Sequence, residues 1–226
     1  MLTRDQFLLS GIGVAASVAI QPSTAAAAAA LPRKTGLEAL QELRAGYRRY
    51  KAGRSVHTDY REQRAATAAA QHPFAILLSC SDSRVPPEIL FDQGIGDLFV
   101  IRVAGNVADA VGVGSIEYAV AHFACPLVVV LGHTSCGAVQ AAVDALEHHE
   151  PAPGSIETIV QEIMPAANAV RGEAGDIYLN ATKANALGVA AKLRAREPIL
   201  ADAIRKKTLT VAAALYSVKT GSVTVL

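Results

Sequence analysis

The chain has 226 residues and a mass of 23.5 kDa, enough for one domain with a sizeable core. Apolar side chains make up 51% and charged ones 18%, the reverse of the balance that keeps a chain disordered. Twenty-one basic against twenty acidic residues leave a net charge of +1, so the charge balance does not point to a nucleic acid as partner.

Leu8 to Ile20 is a thirteen-residue apolar run. A membrane-spanning helix needs roughly 20 residues, so the run is too short for one. Ala25 to Ala30 follow it and offer small-residue cleavage sites. Residues 1–30 therefore read as a signal peptide, and residues 31–226 as the mature domain, periplasmic or otherwise exported. The segment Thr3-Arg4-Asp5-Gln6-Phe7-Leu8 looks like a twin-arginine signal with Asp5 in place of the second arginine. If this leader does not function, the protein is cytoplasmic. No membrane span is expected in the mature chain.

Thr35-Gly-Leu-Glu38 is a capping box, and Leu37, Leu40, Leu43 and Tyr47 recur behind it at helical spacing. A second, alanine-rich helix is expected over Asp59 to Gln71. Continuous apolar runs at 74–79, 98–101, 127–131 and 209–215 suit strands buried on both faces. Helical patterns lie between them, over Ser115 to Phe123, Ser135 to His148, Ile156 to Ile163 and Asp176 to Arg196. The alternation predicts an α/β fold with a mainly parallel central sheet flanked by helices.

Ligands of such sheets bind beyond the carboxyl ends of the strands, and two of those ends carry reactive side chains. Cys80-Ser-Asp82-Ser-Arg84 follows the first run, and Gly132-His133-Thr-Ser-Cys136-Gly137 follows the third. Two thiolates and an imidazole suit Zn²⁺, and three protein ligands with one open position describe a catalytic site. Asp82 is either a fourth ligand or an acceptor for a hydrogen bond from a metal-bound water. Arg84 is placed to pair with it and hold it off the metal. Taken singly, each thiol also reads as a buried free cysteine, and Asp82 and Arg84 as a surface ion pair.

With RVAGN, GSIEYA and GHTSCGA behind it, CSDSR resembles the signature of the β-class carbonic anhydrases, from about Leu37 to Leu226. The resemblance implies one zinc per chain on Cys80, His133 and Cys136, with Asp82 as an added ligand in a closed state. It implies reversible hydration of carbon dioxide to bicarbonate and a proton, by zinc-held hydroxide, with Asp82 and Arg84 as the catalytic dyad. Gln71, Phe99, Tyr118 and Gly137 match its substrate-side residues, with Tyr118 reaching in from a neighbouring subunit. A homodimer or larger homo-oligomer is implied, the segment from Leu37 to Gln71 packing across the partner. Val85 matches the motif, and Ala104 stands where some members have valine. Effector control of the kind that uses a tryptophan is not expected, because the chain has none. Two thiolates offset the charge of the ion, so an alkaline-leaning activity profile is expected. A non-catalytic zinc or bicarbonate-binding module on the same fold, or a CS₂ or COS hydrolase, is the alternative.

The remaining suggestive residues have plainer readings. Cys125 is expected in the core, His122 in packing, and His148-His149-Glu150 at a solvated helix end. Gly112-Val-Gly114-Ser115 reads as a cap before a helix rather than an anion cradle, and Gly105-Asn106 as a local backbone device.

Overall fold

A computed structural model describes residues 34–226; the leader read over residues 1–30 lies outside the described residues. The expected architecture is present. Five strands form one sheet in the order β2-β1-β3-β4-β5. They are β1 (Ala75–Ser79), β2 (Leu98–Arg102), β3 (Leu127–His133), β4 (Thr210–Tyr216) and β5 (Val223–Val225). The first four pair in parallel, and β5 closes the edge antiparallel to β4.

Side chains of a strand alternate between the two faces, and both faces here are apolar. Ile76, Leu78, Val128, Val130, Val211 and Ala213 pack on one side with α4 (Ala110–Phe123), α7 (Ile177–Arg194) and α8 (Ile199–Arg205). Leu77, Leu127, Val129, Leu131 and Tyr216 pack on the other with Leu43 of α1 (Gly36–Lys51) and Leu90 of α3 (Pro87–Leu90). This double covering is why the strands read as unbroken apolar runs. A third cluster joins α5 (Gly137–His148), α6 (Ile156–Ala169) and α7 beyond the carboxyl ends of β1 and β3. Among the described residues, no helix is long and apolar enough to cross a membrane.

Several expectations change in detail. The capping box at Thr35 forms with both its hydrogen bonds, but Leu37 is 69% exposed, and Ala39, Leu43 and Gly46 are the buried positions of α1. The second helix, α2, covers only Arg61–Thr67, because it buries no residue that would extend it. Helix α4 begins at Ala110, not Ser115. Asp109 accepts a hydrogen bond from the Gly112 N–H at 2.6 Å, so Gly112 and Gly114 lie inside the helix rather than ahead of it. Helix α5 starts at Gly137, with Cys136 as its N-cap residue. Helices α3 and α8 and the 3₁₀ turn at Ala104–Asn106 carry too few residues to show a period in the sequence.

Candidate metal centre

From β1 the chain passes to β2 on one side, whereas β3 pairs with β1 on the other. Their outgoing loops therefore separate and leave a crevice at this switch point, where ligands of open α/β sheets bind. Cys80 leaves β1 and His133 ends β3. Ser135, in the left-handed region at φ 57°, turns the chain so that Cys136 caps α5. The thiol sulfurs of Cys80 and Cys136 and a ring nitrogen of His133 lie within 4.8 Å of one another, and all three residues are buried. The sequence separation of 53 between Cys80 and His133 is spanned by the β1–β3 register, in which Ser79 faces Leu131.

The electrostatics favour a cation. The two sulfurs are 3.9 Å apart. The Cys136 thiol pulls Cys80 well below the ordinary thiol range, aided by the N–H groups of Asp82 and Gly105. Cys136 is pushed up by the adjacent Cys80 and by burial. One thiol of the pair is therefore readily ionised and the second waits for a positive charge. His133 Nδ1 stands 3.0 Å from the Thr134 carbonyl, which can only accept. The ring hydrogen therefore sits on Nδ1, and Nε2 carries the lone pair. That Nε2 is buried and has no hydrogen-bond partner among the described residues. An orphaned buried acceptor costs about 1–3 kcal/mol, and a metal bond removes the cost. Two thiols, an unpartnered imidazole nitrogen and their convergence fit a zinc ion.

Beside them, Arg84 grips Asp82 in a bidentate pair, Nε to Oδ1 at 3.0 Å and Nη2 to Oδ2 at 2.8 Å. The Arg84 backbone N–H also donates to Oδ1 at 2.9 Å. These bonds, the side-chain one first, bring the Asp82 carboxyl down to about 2. Asp82 Oδ2 is 3.9 Å from His133 Nε2, next to the three converging donors but not one of them. Arg84 Nη2 reaches across to the Ser135 carbonyl at 3.2 Å and so ties the two loops together. Arg102, at the end of β2, donates to the Cys80 and Asp82 carbonyls at 3.1 and 2.6 Å. Neither this brace nor the Gly105 N–H, 3.3 Å from the Cys80 sulfur, was foreseen as site machinery. The RVAGN motif held both residues.

The family model for carbonic anhydrase matches residues 75–223. The chain belongs to the carbonic anhydrase family. It is 46% identical over 137 residues to a carbonic anhydrase of Mycolicibacterium smegmatis, covering 60% of this chain and 66% of that one. The chain thus spans about two thirds of that relative's length. A carbonic anhydrase of Pseudomonas aeruginosa is 32% identical over 176 residues, covering 70% of this chain and 76% of its own. Among solved structures, the β-carbonic anhydrase CcaA superposes with a TM-score of 0.66 at 25% identity, over 82% of this chain and 94% of that one. The fold is that of the β class.

The other family-matched positions are placed unevenly. Gly137 opens α5 directly after Cys136. Gln71 is exposed, in the coil that enters β1 at the end opposite Cys80. Phe99 pairs in register with Ile76, three positions before the end of β2, and its ring stands 6.5 Å from that of Tyr118. A single chain therefore does not bring Gln71, Phe99 and Tyr118 to the cysteines. A cavity of about 350 Å³ lies between α1 and β3–β5, and no residue of the cluster lines it. Cys125 is a core thiol bonded to the Pro73 carbonyl at 3.0 Å, and His148 and His149 are exposed at the end of α5, as their sequence contexts suggest.

Proposed function

We propose that this protein is a zinc-dependent enzyme that interconverts carbon dioxide and bicarbonate. The observation that carries the reading is the buried Cys80–His133–Cys136 convergence with an unpartnered His133 Nε2, set against an Asp82 carboxylate already committed to Arg84. Zinc on these three residues would lower the pKa of a water at the open position, making a nucleophilic oxygen available near neutral pH.

The protein's own groups do the rest. Asp82, ionised and held by Arg84, is the acceptor that would orient a water at that position toward the carbon of CO₂. Arg84 keeps the carboxylate in this orientation and away from the ligand set. The Gly137 N–H, at the first turn of α5, is a donor for the bicarbonate oxygens. Gln71, Phe99 and Tyr118 act from a second copy of the chain, so a homodimer is the smallest active unit. Export through the leader at residues 1–30 belongs to the same reading; N-terminal sequencing of periplasmic protein should find a mature chain starting near Leu31.

The test is stopped-flow CO₂ hydration from pH 6.5 to 9, with zinc content measured in the same sample. Turnover with about one zinc per chain, abolished by Cys136→Ala, is the expected result. Full zinc occupancy without turnover at any pH would mean that Asp82 closes the site as a fourth ligand, and the catalytic reading would fall.

A further inference from the structure

Asn185 is an odd residue for its place. It sits in the middle of α7, 3% exposed, with apolar neighbours Ala181, Ala186 and Val189 on the same buried face. Asparagine is a weaker helix former than alanine or leucine, and its amide is costly to bury without partners. Its Nδ2 makes one hydrogen bond, 2.8 Å long, to the carbonyl of Gly105, 80 residues earlier.

Gly105 is the residue whose N–H points at the Cys80 sulfur, 3.3 Å away. It adopts φ +68°, the left-handed region that favours glycine, and an added Cβ would come within 2.5 Å of Ile163 Cδ1 and 3.1 Å of Ala138 Cβ. Glycine is also the residue least able to hold its own conformation. What holds it is the peptide between Gly105 and Asn106, pinned at both ends. Its N–H donates to the Val103 carbonyl at 2.9 Å, and its carbonyl accepts from Asn185. Val103 is itself tied to the Ser79 carbonyl at 3.1 Å, one residue before Cys80. The aim of the Gly105 N–H at the sulfur therefore depends on a side chain contributed by α7.

We infer that Asn185 is a positioning residue for the metal centre, fixing the Gly105–Asn106 peptide and through it the Gly105 N–H that donates to the Cys80 sulfur. The inference rests on the zinc reading of Cys80, His133 and Cys136. An N–H bond to the sulfur stabilises its lone pairs and orients the ligand before the ion arrives, and loss of such supporting bonds weakens metal binding about 10- to 100-fold.

The experiment compares Asn185→Leu, of similar volume and without a donor, with the wild type and with Thr182→Val. Thr182 lies one turn earlier on the same helix, is as buried, and bonds only within α7, to the Tyr178 carbonyl at 2.7 Å. Zinc affinity is measured by chelator competition, and the thiolate-to-metal charge-transfer band is recorded on cobalt-loaded protein. Asn185→Leu should weaken zinc about tenfold and move the band to longer wavelength, while Thr182→Val moves neither. Should the leucine variant fail to fold, Asn185→Ser removes the reach to Gly105 without adding bulk and should shift both readouts the same way. A folded Asn185 variant with wild-type affinity and an unmoved band overturns the inference, as does a Thr182 variant that shifts both equally. Wild-type protein that takes up neither zinc nor cobalt overturns the metal centre itself, a separate and recognisable outcome.

Discussion

Arg84 shows how one side chain can matter without touching the ligand set. Its fork holds both oxygens of Asp82 and also spans to the Ser135 carbonyl. Arg84→Ala should lower CO₂ hydration about 100-fold, the usual cost of removing one positioned polar group from a reaction centre, with zinc content unchanged. Arg84→Lys should recover little, because an ammonium cannot make the planar two-point contact. The pH dependence separates orientation from charge. With Arg84 present the Asp82 carboxyl lies at about 2, and without its chief partner it moves up toward the ordinary value of 3.8. In both proteins it is ionised throughout pH 6.5 to 9, so the deficit should be the same at each end of that range. A deficit that shrinks as pH rises would mean that Arg84 acts on Asp82 ionisation and not on its orientation.

Helix α1 meets the rest of the chain through two contacts whose energetics can be ranked. At Gly46 an added Cβ would lie 1.7 Å from the Phe91 carbonyl oxygen, which is backbone and cannot swing aside. Gly46→Ala gains up to about 1 kcal/mol of helix propensity but pushes α1 off α3, and overpacking of this kind costs about 1–3 kcal/mol. The clash wins, and the variant should melt at lower temperature; an unchanged or higher Tm would show that α1 is free to lift. The second contact is Asp92, whose side chain is 1% exposed and accepts from Arg49 and from the Val56 and His57 N–H groups. Burial raises its pKa, but these bonds outweigh burial and leave the carboxyl below its usual value. A carboxyl lowered on folding stabilises the fold above about pH 4, its unfolded value, and that contribution fades as pH falls through the folded value. Asp92→Asn should therefore cost about 2–3 kcal/mol in urea melts at pH 7, somewhat below a fully buried pair because Arg49 is part exposed, and the gap to wild type should narrow below pH 4. A gap constant from pH 7 to 2 would assign the loss to shape alone. The same segment shows what the sequence conceals at this scale. The capping box fixed the start of α1, whereas the over-long second helix followed alanine content, and only the absence of burial stops α2 at Thr67.

Across the whole molecule, legibility followed sequence distance. The core strands were readable because burial on both faces leaves continuous apolar runs, and the candidate metal centre because its three donors fall just after two of those runs. Asn185 gave no signal, since a lone asparagine in a helix acquires meaning only when an 80-residue gap is closed by the fold. The aromatic group of Phe99, Tyr118 and Phe123 lies between these cases. Each residue was legible as a family match or apolar position, yet one chain leaves Tyr118 50% exposed, tilted against His122 with ring centroids 4.3 Å apart and beside the sheet's edge strand β2. An exposed tyrosine backed by two half-buried phenylalanines at one edge suits an interface anchor, where truncation of a central side chain costs about 2 kcal/mol or more. If that edge completes a second copy's site, activity and association are one equilibrium. Specific activity should then fall on dilution in step with dimer dissociation followed by sedimentation, and Tyr118→Ala should move both curves about 30-fold toward higher protein concentration, equivalent to that energy. Activity that persists undiminished in monomers would confine the reaction to the Cys80–His133–Cys136 crevice of a single chain and leave the aromatic edge to packing.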